Sequence, residues 1–375
     1  MLNLDSISIS VREVDISDMV TGVTIYESIM GMLKGAIAVK DGINFFDEFI
    51  GTDLADVQFS YEYIGETKIA SFYMDGISNM KIEKQQKNYI IHIASMHESA
   101  FAQKINNAFN GRTDQIVEQI FANVSEENAT LIIDSQASTS GKYIAPNIPT
   151  NLALQHLINH AYDIQNTGMF LYQRFVDDNA IRLTSLGDMM DSEFQDIAGN
   201  EVTIKASLMH QGAMGMVAML GTANTFELRE YNMDFIQKLE NGLWGEAVES
   251  VKLDSTTHKY NISKEATSVS KTKFKLSDKL YDNNIKSIFG NSQGVETSVI
   301  LNHKIRVFNT DMAVTNMVAL PHLGVGMTIG LELGGGNKSY SRQDGKYLVK
   351  HIQHNFTIDG GEYMYSQDVG LIREW

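Results

Sequence analysis

Two histidines four residues apart, His156 and His160 in the run HLINH, carry the sharpest chemical signal in the chain. On a helix that spacing puts both imidazoles on one face, as in the zinc peptidases whose H-E-x-x-H motif supplies two ligands and a general base. Here Leu157 stands at the glutamate position and no third ligand is evident, so the pair reads as helix surface or domain junction. His351 and His354 are three apart in a β-rich run and point to opposite faces, which cannot chelate one ion without a bulge. Gly334-Gly335-Gly336 and Gly360-Gly361 lack both a following Gly-Lys-Ser/Thr and a strand-to-helix setting, so they read as turns rather than phosphate cradles. Asp177-Asp178, and Asp53 with Asp56, fall in turn-like stretches, and sequence spacing alone does not identify a glycosidase pair. Cysteine is absent, which removes thiolate, disulfide and cysteine-zinc chemistry. No catalytic residue, cofactor or metal is therefore expected, and the chain is read as not an enzyme.

Charge gives a different kind of candidate. The net charge of -16 argues against affinity for nucleic acid, which rests on phosphate neutralisation by Lys and Arg. It is compatible with a wall past which DNA moves without sticking. Against that background the segment 259–286 is a basic island, with Lys259, Lys264, Lys271, Lys273, Lys275, Lys279 and Lys286 opposed only by Glu265, Asp278 and Asp282, the first six being the candidate docking residues. A solvated insertion is the ordinary reading of such a run; a docking surface for an acidic partner is the sharper one. Met209, Met214, Met216 and Met219 mark an apolar stretch fit for a core strand or a subunit interface.

The elements that must carry these residues are mostly strands. Ile7, Ile9 and Val11 alternate with polar residues, as do Val23 with Ile25 and Ile37 with Val39, and Val57, Phe59, Tyr61 and Tyr63 give the clearest alternation. Further strands fit Ser71–Ile77 and Tyr89–Ser95, with a short helix around Phe45–Phe49. From His97 the spacing of Phe101, Ile105 and Phe109 predicts a helix over 97–109, ended by Gly111. Thr113 is expected to cap a second helix and Thr150 a third, with a strand at 130–134 and a hairpin of Met169–Val176 with Ala180–Ser185. Strands resume after 201, with a short helix at Asn232–Leu239 and strands again from Val299–Val307 onward. The chain closes on a hairpin, Tyr347–Ile358 and Tyr363–Leu371 around Asp359-Gly360-Gly361-Glu362, because Gly-Gly supplies the positive φ that tight hairpins need. The strand order of 53–95 is echoed in 322–370, a weak repeat signal.

At 375 residues, with 43% hydrophobic and 20% charged residues, the chain is globular and holds more than one core. The expected organisation is α+β and β-dominated. A first β-domain spans 1–96, a mixed α/β domain 97–200, and a second β-domain 201–245 with 300–375. Residues 246–299 form a polar, Lys-rich insertion. The start lacks the basic and apolar regions of a secretory signal, and no apolar run reaches the about 18 residues of a membrane helix, so synthesis in a cytosol without membrane insertion is expected.

In order along the chain, DISDMVTGVTIYESIMGMLKGAIAVKDGINFFDEFIG, LQHLINHAYDIQNTGMFLYQRF with IRLTSLGDM, FIQKLENGLWGEAVESVKLDSTTHKY, and GKYLVKHIQHNF with EYMYSQDVGLIRE resemble the central baseplate hub proteins of contractile phage tails. The same family includes hubs of related injection machines and the hub part of type VI secretion spike proteins. The resemblance implies two tail-tube-like β-barrel or sandwich domains per chain and a homotrimeric ring that matches a sixfold tail tube on one side and seats a threefold spike on the other. It implies tube, spike and baseplate wedge proteins as partners, DNA only in transit, and a place in the virion tail after assembly in the host cytoplasm. The alternative is a tail-associated binding module, an adhesin or carbohydrate-binding protein; Tyr61, Tyr63, Tyr347, Tyr363 and Tyr365 fit strand faces under either reading. The purified chain is expected to leave peptidoglycan intact in a zymogram; a cleared band at its mass would contradict the non-enzymatic reading.

Overall fold

A computed structural model describes residues 2–42, 45, 55–83, 86–124, 130–164, 167–177, 180–195, 199, 201–206, 222–230, 246–253, 260–267, 285–289, 311–332 and 345–372. The first part of the chain forms β1 (Leu2–Leu4), β2 (Ser6–Val11), β3 (Val14–Asp15), β4 (Val20–Ser28), β5 (Lys34–Asp41), β6 (Asp56–Tyr63), β7 (Glu66–Glu83) and β8 (Gln86–Ser95). Their two-residue period sets the core: Ile7, Ile9 and Val11 of β2 and Val57, Phe59 and Tyr61 of β6 are all buried, while the residues between them face outward.

The middle part is a mixed unit. It comprises α1 (Met96–Ala102), β9 (Lys104–Ile105), β10 (Ala108–Arg112), α2 (Thr113–Val124), β11 (Leu131–Ile133), β12 (Ser140–Ile144), β13 (Ile148–Pro149), α3 (Thr150–Asn159), β14 (Met169–Gln173), β15 (Ile181–Ser185) and α4 (Leu186–Asp191). The expected helix over 97–109 stops at Ala102. Phe101, Ile105 and Phe109 do share one core, but a helix and two short strands bring them there, because β9 pairs with β13 and β10 with β12. Their four-residue spacing therefore mimics a helical stripe. Ser95 caps α1 by accepting from the His97 N–H. Thr113 and Thr150 are first helical residues rather than caps, and the Thr150 hydroxyl instead donates to the Gln103 carbonyl at 2.8 Å.

The last part contributes β16 (Thr203–Ala206), β17 (Thr222–Glu230), β18 (Glu246–Leu253), β19 (Tyr260–Thr267), β20 (Ile285–Phe289), β21 (Asp311–Val318), β22 (Thr328–Glu332), β23 (Gly345–Asp359) and β24 (Glu362–Ile372). β23 and β24 form the expected hairpin: Asp359 pairs with Glu362, and the loop residues Gly360 and Gly361 have φ of 59° and 90°. The echo between 53–95 and 322–370 corresponds to two antiparallel meanders, β6–β7–β8 and β22–β23–β24.

This hairpin organises the sheet. Its tip half, Phe356 with Tyr365, lies between β4 on one side and β1 on the other, and the pairings continue through β5, β8, β7 and β6 to β2, which follows β1 in the chain after Asp5. Its base half lies between β22 and β21, and the pairings continue through β16 and β17. Strand pairing closes the second circuit, and the chain step from β1 to β2 completes the first, so two circuits share the hairpin as a common wall. Most pairs are antiparallel, as expected; β16 departs, running parallel to both β17 and β22. Each circuit encloses its own hydrophobic core, the first around Phe59, Phe72 and Phe356 and the second around Tyr347, Ile352 and Leu371. The hairpin β14–β15 is buried on both faces, giving Phe170 and Tyr172 to the second core and Met169, Ile181 and Leu183 to that of the mixed unit.

Residues 246–299 hold a three-stranded sheet, with β18 between antiparallel β19 and parallel β20. The helices expected at Phe45–Phe49 and Asn232–Leu239, the strands at Val299–Val307 and Met209, Met214, Met216 and Met219 lie outside the described residues, except that Phe45 itself is buried.

Backbone approach between β4 and β5 leaves no room at one glycine. A Cβ on Gly35 would stand 2.6 Å from the Thr24 carbonyl oxygen and 3.0 Å from Ile93 Cγ1, whereas one on Gly76 of β7 meets nothing within 4 Å. Gly35→Ala is expected to destabilise by about 1–3 kcal/mol and Gly76→Ala to stay within about 0.5 kcal/mol of the parent, measured by urea denaturation.

Candidate functional site

The two circuits and the mixed unit meet at a cluster of buried polar side chains. In β4 the inward positions run Val23, Ile25, Glu27, so the strand's alternation carries a carboxylate into the core after two apolar residues. In β23 the inward positions Ile352, His354 and Phe356 do the same for an imidazole. Glu27 and His354 are both fully buried, with His354 Nε2 3.8 Å from Glu27 Oε1.

A buried carboxylate is tolerable only when its oxygens are satisfied. Glu27 Oε2 accepts the Phe175 N–H at 2.5 Å and Oε1 accepts the Val325 N–H at 2.9 Å. Buried Arg174, next to Phe175, donates from Nε to the Val325 carbonyl at 2.7 Å and from Nη2 to the Tyr172 hydroxyl at 3.2 Å. Both backbone polar groups of Val325 are thus held by side chains. The same holds at Leu320, whose N–H donates to Gln367 Oε1 at 2.9 Å and whose carbonyl accepts from Gln367 Nε2 at 3.2 Å. Residues 320–325 are fastened at both ends. Glycine is required beside Val325: Gly326 has φ +75°, and a Cβ there would lie 2.6 Å from the Tyr172 hydroxyl.

These bonds continue into a buried chain of side chains. With Gln367 Oε1 fixed as acceptor, its Nε2 donates to the Tyr365 hydroxyl at 2.9 Å. The Tyr365 hydroxyl and His354 Nδ1 share a hydrogen bond at 2.7 Å, and His354 Nε2, on the Glu27 side of the ring, makes no hydrogen bond. Around this chain Phe59, Tyr61, Phe175, Phe356 and Tyr365 pack ring against ring, with Phe356 and Tyr365 stacked 4.3 Å apart and 11° from parallel. Burial pushes the Tyr365 phenol well above its ordinary range, with Tyr61 adding to the effect; burial does the same to Tyr61, with Glu66 adding. Carboxylate, imidazole and hydroxyl in a row resemble a catalytic relay, but solvent reaches none of Glu27, His354 and Tyr365, and the hydroxyl is a phenol engaged by Gln367. The arrangement joins segments and presents no nucleophile.

The histidines singled out by spacing divide accordingly. His351 faces away from His354, as the strand period requires. His156 and His160 lie 4.7 Å apart at the end of α3, but His160 Nδ1 is bonded to the His156 carbonyl at 2.7 Å and His156 stacks on Tyr143. Desolvation, then His160, lowers the His156 pKa. Among the described residues, no three His, Cys, Asp or Glu side chains are grouped to hold a metal. Asp177 pairs with Arg182, which also forks onto Asp134; Asp56 begins β6. Of the lysine island, Lys264 lies in β19 opposite Glu249 of β18, while Lys259, Lys271, Lys273, Lys275 and Lys279, with Asp53, Asp178 and Gly334-Gly335-Gly336, are outside the described residues. Glu27, His354 and Gln367 were not singled out as a site by spacing; the available signal is a polar residue at an inward position of an otherwise apolar alternation.

No protein-family model and no curated protein matches the chain. Among solved structures, it is similar over 98% of its length to 98% of the 43 kDa tail protein of prophage MuSo2 from Shewanella oneidensis, at 9% identity and a TM-score of 0.61. It is also similar, over 98% of its length, to 97% of a tail protein from Neisseria meningitidis MC58, at 9% identity and a TM-score of 0.57. A chain of the Francisella PdpA–VgrG complex matches over 99% of this chain at 11% identity and a TM-score of 0.51, and this chain spans 53% of that one. The fold is that of phage tail proteins, shared with a VgrG-complex chain.

Removing the Glu27 carboxylate orphans the buried N–H groups of Phe175 and Val325, so Glu27→Ala is expected to cost about 3–5 kcal/mol in urea denaturation. The buried phenols give a second expectation. Folding keeps Tyr61 and Tyr365 protonated to higher pH than the unfolded chain does. Their contribution is therefore complete below the unfolded tyrosine value of about 10 and is lost as pH rises above it. Stability should fall above that pH, less steeply in Tyr61→Phe.

Proposed function

We propose that this chain is the structural hub of a contractile tail. Three copies form a ring that adapts a sixfold tail tube to a threefold central spike and lines the channel for DNA or effectors. The observation that carries this reading is the C-terminal hairpin serving as a wall of two closed strand circuits. Each circuit is read as one tube-like β-barrel domain, the first of 1–96 completed by the tip of the closing hairpin and the second of 201–245 with 300–375, so three chains present six such domains. The mixed unit 97–200 is inserted between the two, and 246–299 forms a peripheral insertion. Similarity to tail proteins supports the assignment of fold, and the acidic balance suits a channel that DNA passes without sticking.

In this role the chain acts by geometry rather than catalysis. Its partners are two further copies of itself, the tail tube protein, the spike and baseplate wedge proteins, and the lysine island Lys259–Lys279 is a docking segment for an acidic partner. It is assembled in the host cytoplasm and resides in the virion baseplate. A permanent ring of this kind needs more than about 2,000 Å² buried per interface. Light scattering on the purified chain, 41.8 kDa per copy, is expected to give three times 41.8 kDa. A monomer that stays monomeric when mixed with its spike would overturn the hub reading, and retention on a glycan array would favour the binding-module alternative.

A further inference from the structure

A cavity of about 380 Å³ opens where the β4–β5 connection, α1, α3 and β14 meet, away from the buried polar cluster. Helix α3 lines one side with Asn151, Gln155 and Asn159, all exposed and each four residues from the next. Four helical residues rise about 6 Å. Alternate residues of an extended peptide are about 6.8 Å apart. A row of carboxamides at this interval can meet every second peptide unit of an extended chain, because each carboxamide both donates and accepts. Asn151 Oδ1 already accepts the Leu152 N–H, whereas no hydrogen bond engages the Gln155 or Asn159 side chain among the described residues.

The rest of the lining defines what lies between those contacts. Phe101, Leu154 and Phe170 form an apolar floor, and Met30, 66% exposed, stands at the mouth. The charged lining residues, Lys34 and Glu98, pair with each other at 3.1 Å and leave no net charge for an ionic ligand. An incoming charge would lose water without a counter-ion.

We propose that this cleft binds an extended, uncharged peptide segment of another protein. The segment runs along α3, with its backbone on the carboxamide row and an apolar side chain over Phe101 and Phe170. The proposal does not depend on the hub assignment, since it specifies a ligand and not an assembly.

The test uses the full chain and an array of capped peptides of about five residues, long enough to reach all three carboxamides, built from Ser, Thr, Asn, Leu, Val and Phe. Peptides retained on the array are then titrated in solution by fluorescence anisotropy. Gln155→Ala and Asn159→Ala are each expected to weaken binding about five- to tenfold, and N-methylation of alternate peptide amides to do the same. Gln119→Ala, the same change on the exposed side of α2, should leave binding unaltered. An array without signal, affinities indifferent to the α3 substitutions, or retention of glycans in place of peptides would each overturn the proposal.

Discussion

Glu27 is the constraint on which the rest of the structure depends. A carboxylate removed from water at the end of β4 is stable only if donors reach it, and the donors come from Phe175 and Val325, 148 and 298 residues further along the chain. No local segment can satisfy it. The first circuit, the mixed unit and the 320–325 segment must therefore all be in position before Glu27 is paid for. Arg174 and Gln367 add to this coupling by taking the remaining polar groups of Val325 and Leu320. Apolar packing alone tolerates sliding between units; directional bonds to specific backbone atoms fix one arrangement.

The shared hairpin makes that arrangement rigid. β23 and β24 belong to both circuits, so neither can rotate without breaking backbone pairs in the other. The inward residues change role along the hairpin: Phe356 and Tyr365 fill the first core, His354 and Gln367 sit at the junction, and Ile352, Val369 and Leu371 fill the second. One continuous wall holds the angle between the two β-units better than a linker would. The same rigidity suits the α3 cleft, whose carboxamide row is held by a helix packed on the core through Ala153, Leu154 and Leu157.

Much of this was legible in the sequence because strand alternation is a local signal. β2, β6, the β14–β15 hairpin and the closing hairpin with its Gly360-Gly361 turn follow from residue period and turn chemistry. The expected helix over 97–109 gives way to a helix and two strands because Phe101, Ile105 and Phe109 are core residues whose spacing fits a helix by coincidence; the pairing of β9 with distant β13 overrides it. The buried cluster was not legible for a related reason. Sequence spacing relates His354 only to His351, whereas its neighbours Glu27 and Tyr365 lie on other strands. The parallel strand β16 likewise depends on contacts that sequence period does not encode.

The central claim is that one chain supplies two equivalent β-units to a ring. Electron microscopy of the purified assembly, viewed along its axis, tests it most directly. The account predicts a threefold particle with six β-units around an open channel, alternating between first and second circuits. A ring with one β-unit per chain at the channel, or a closed particle without a channel, would contradict it.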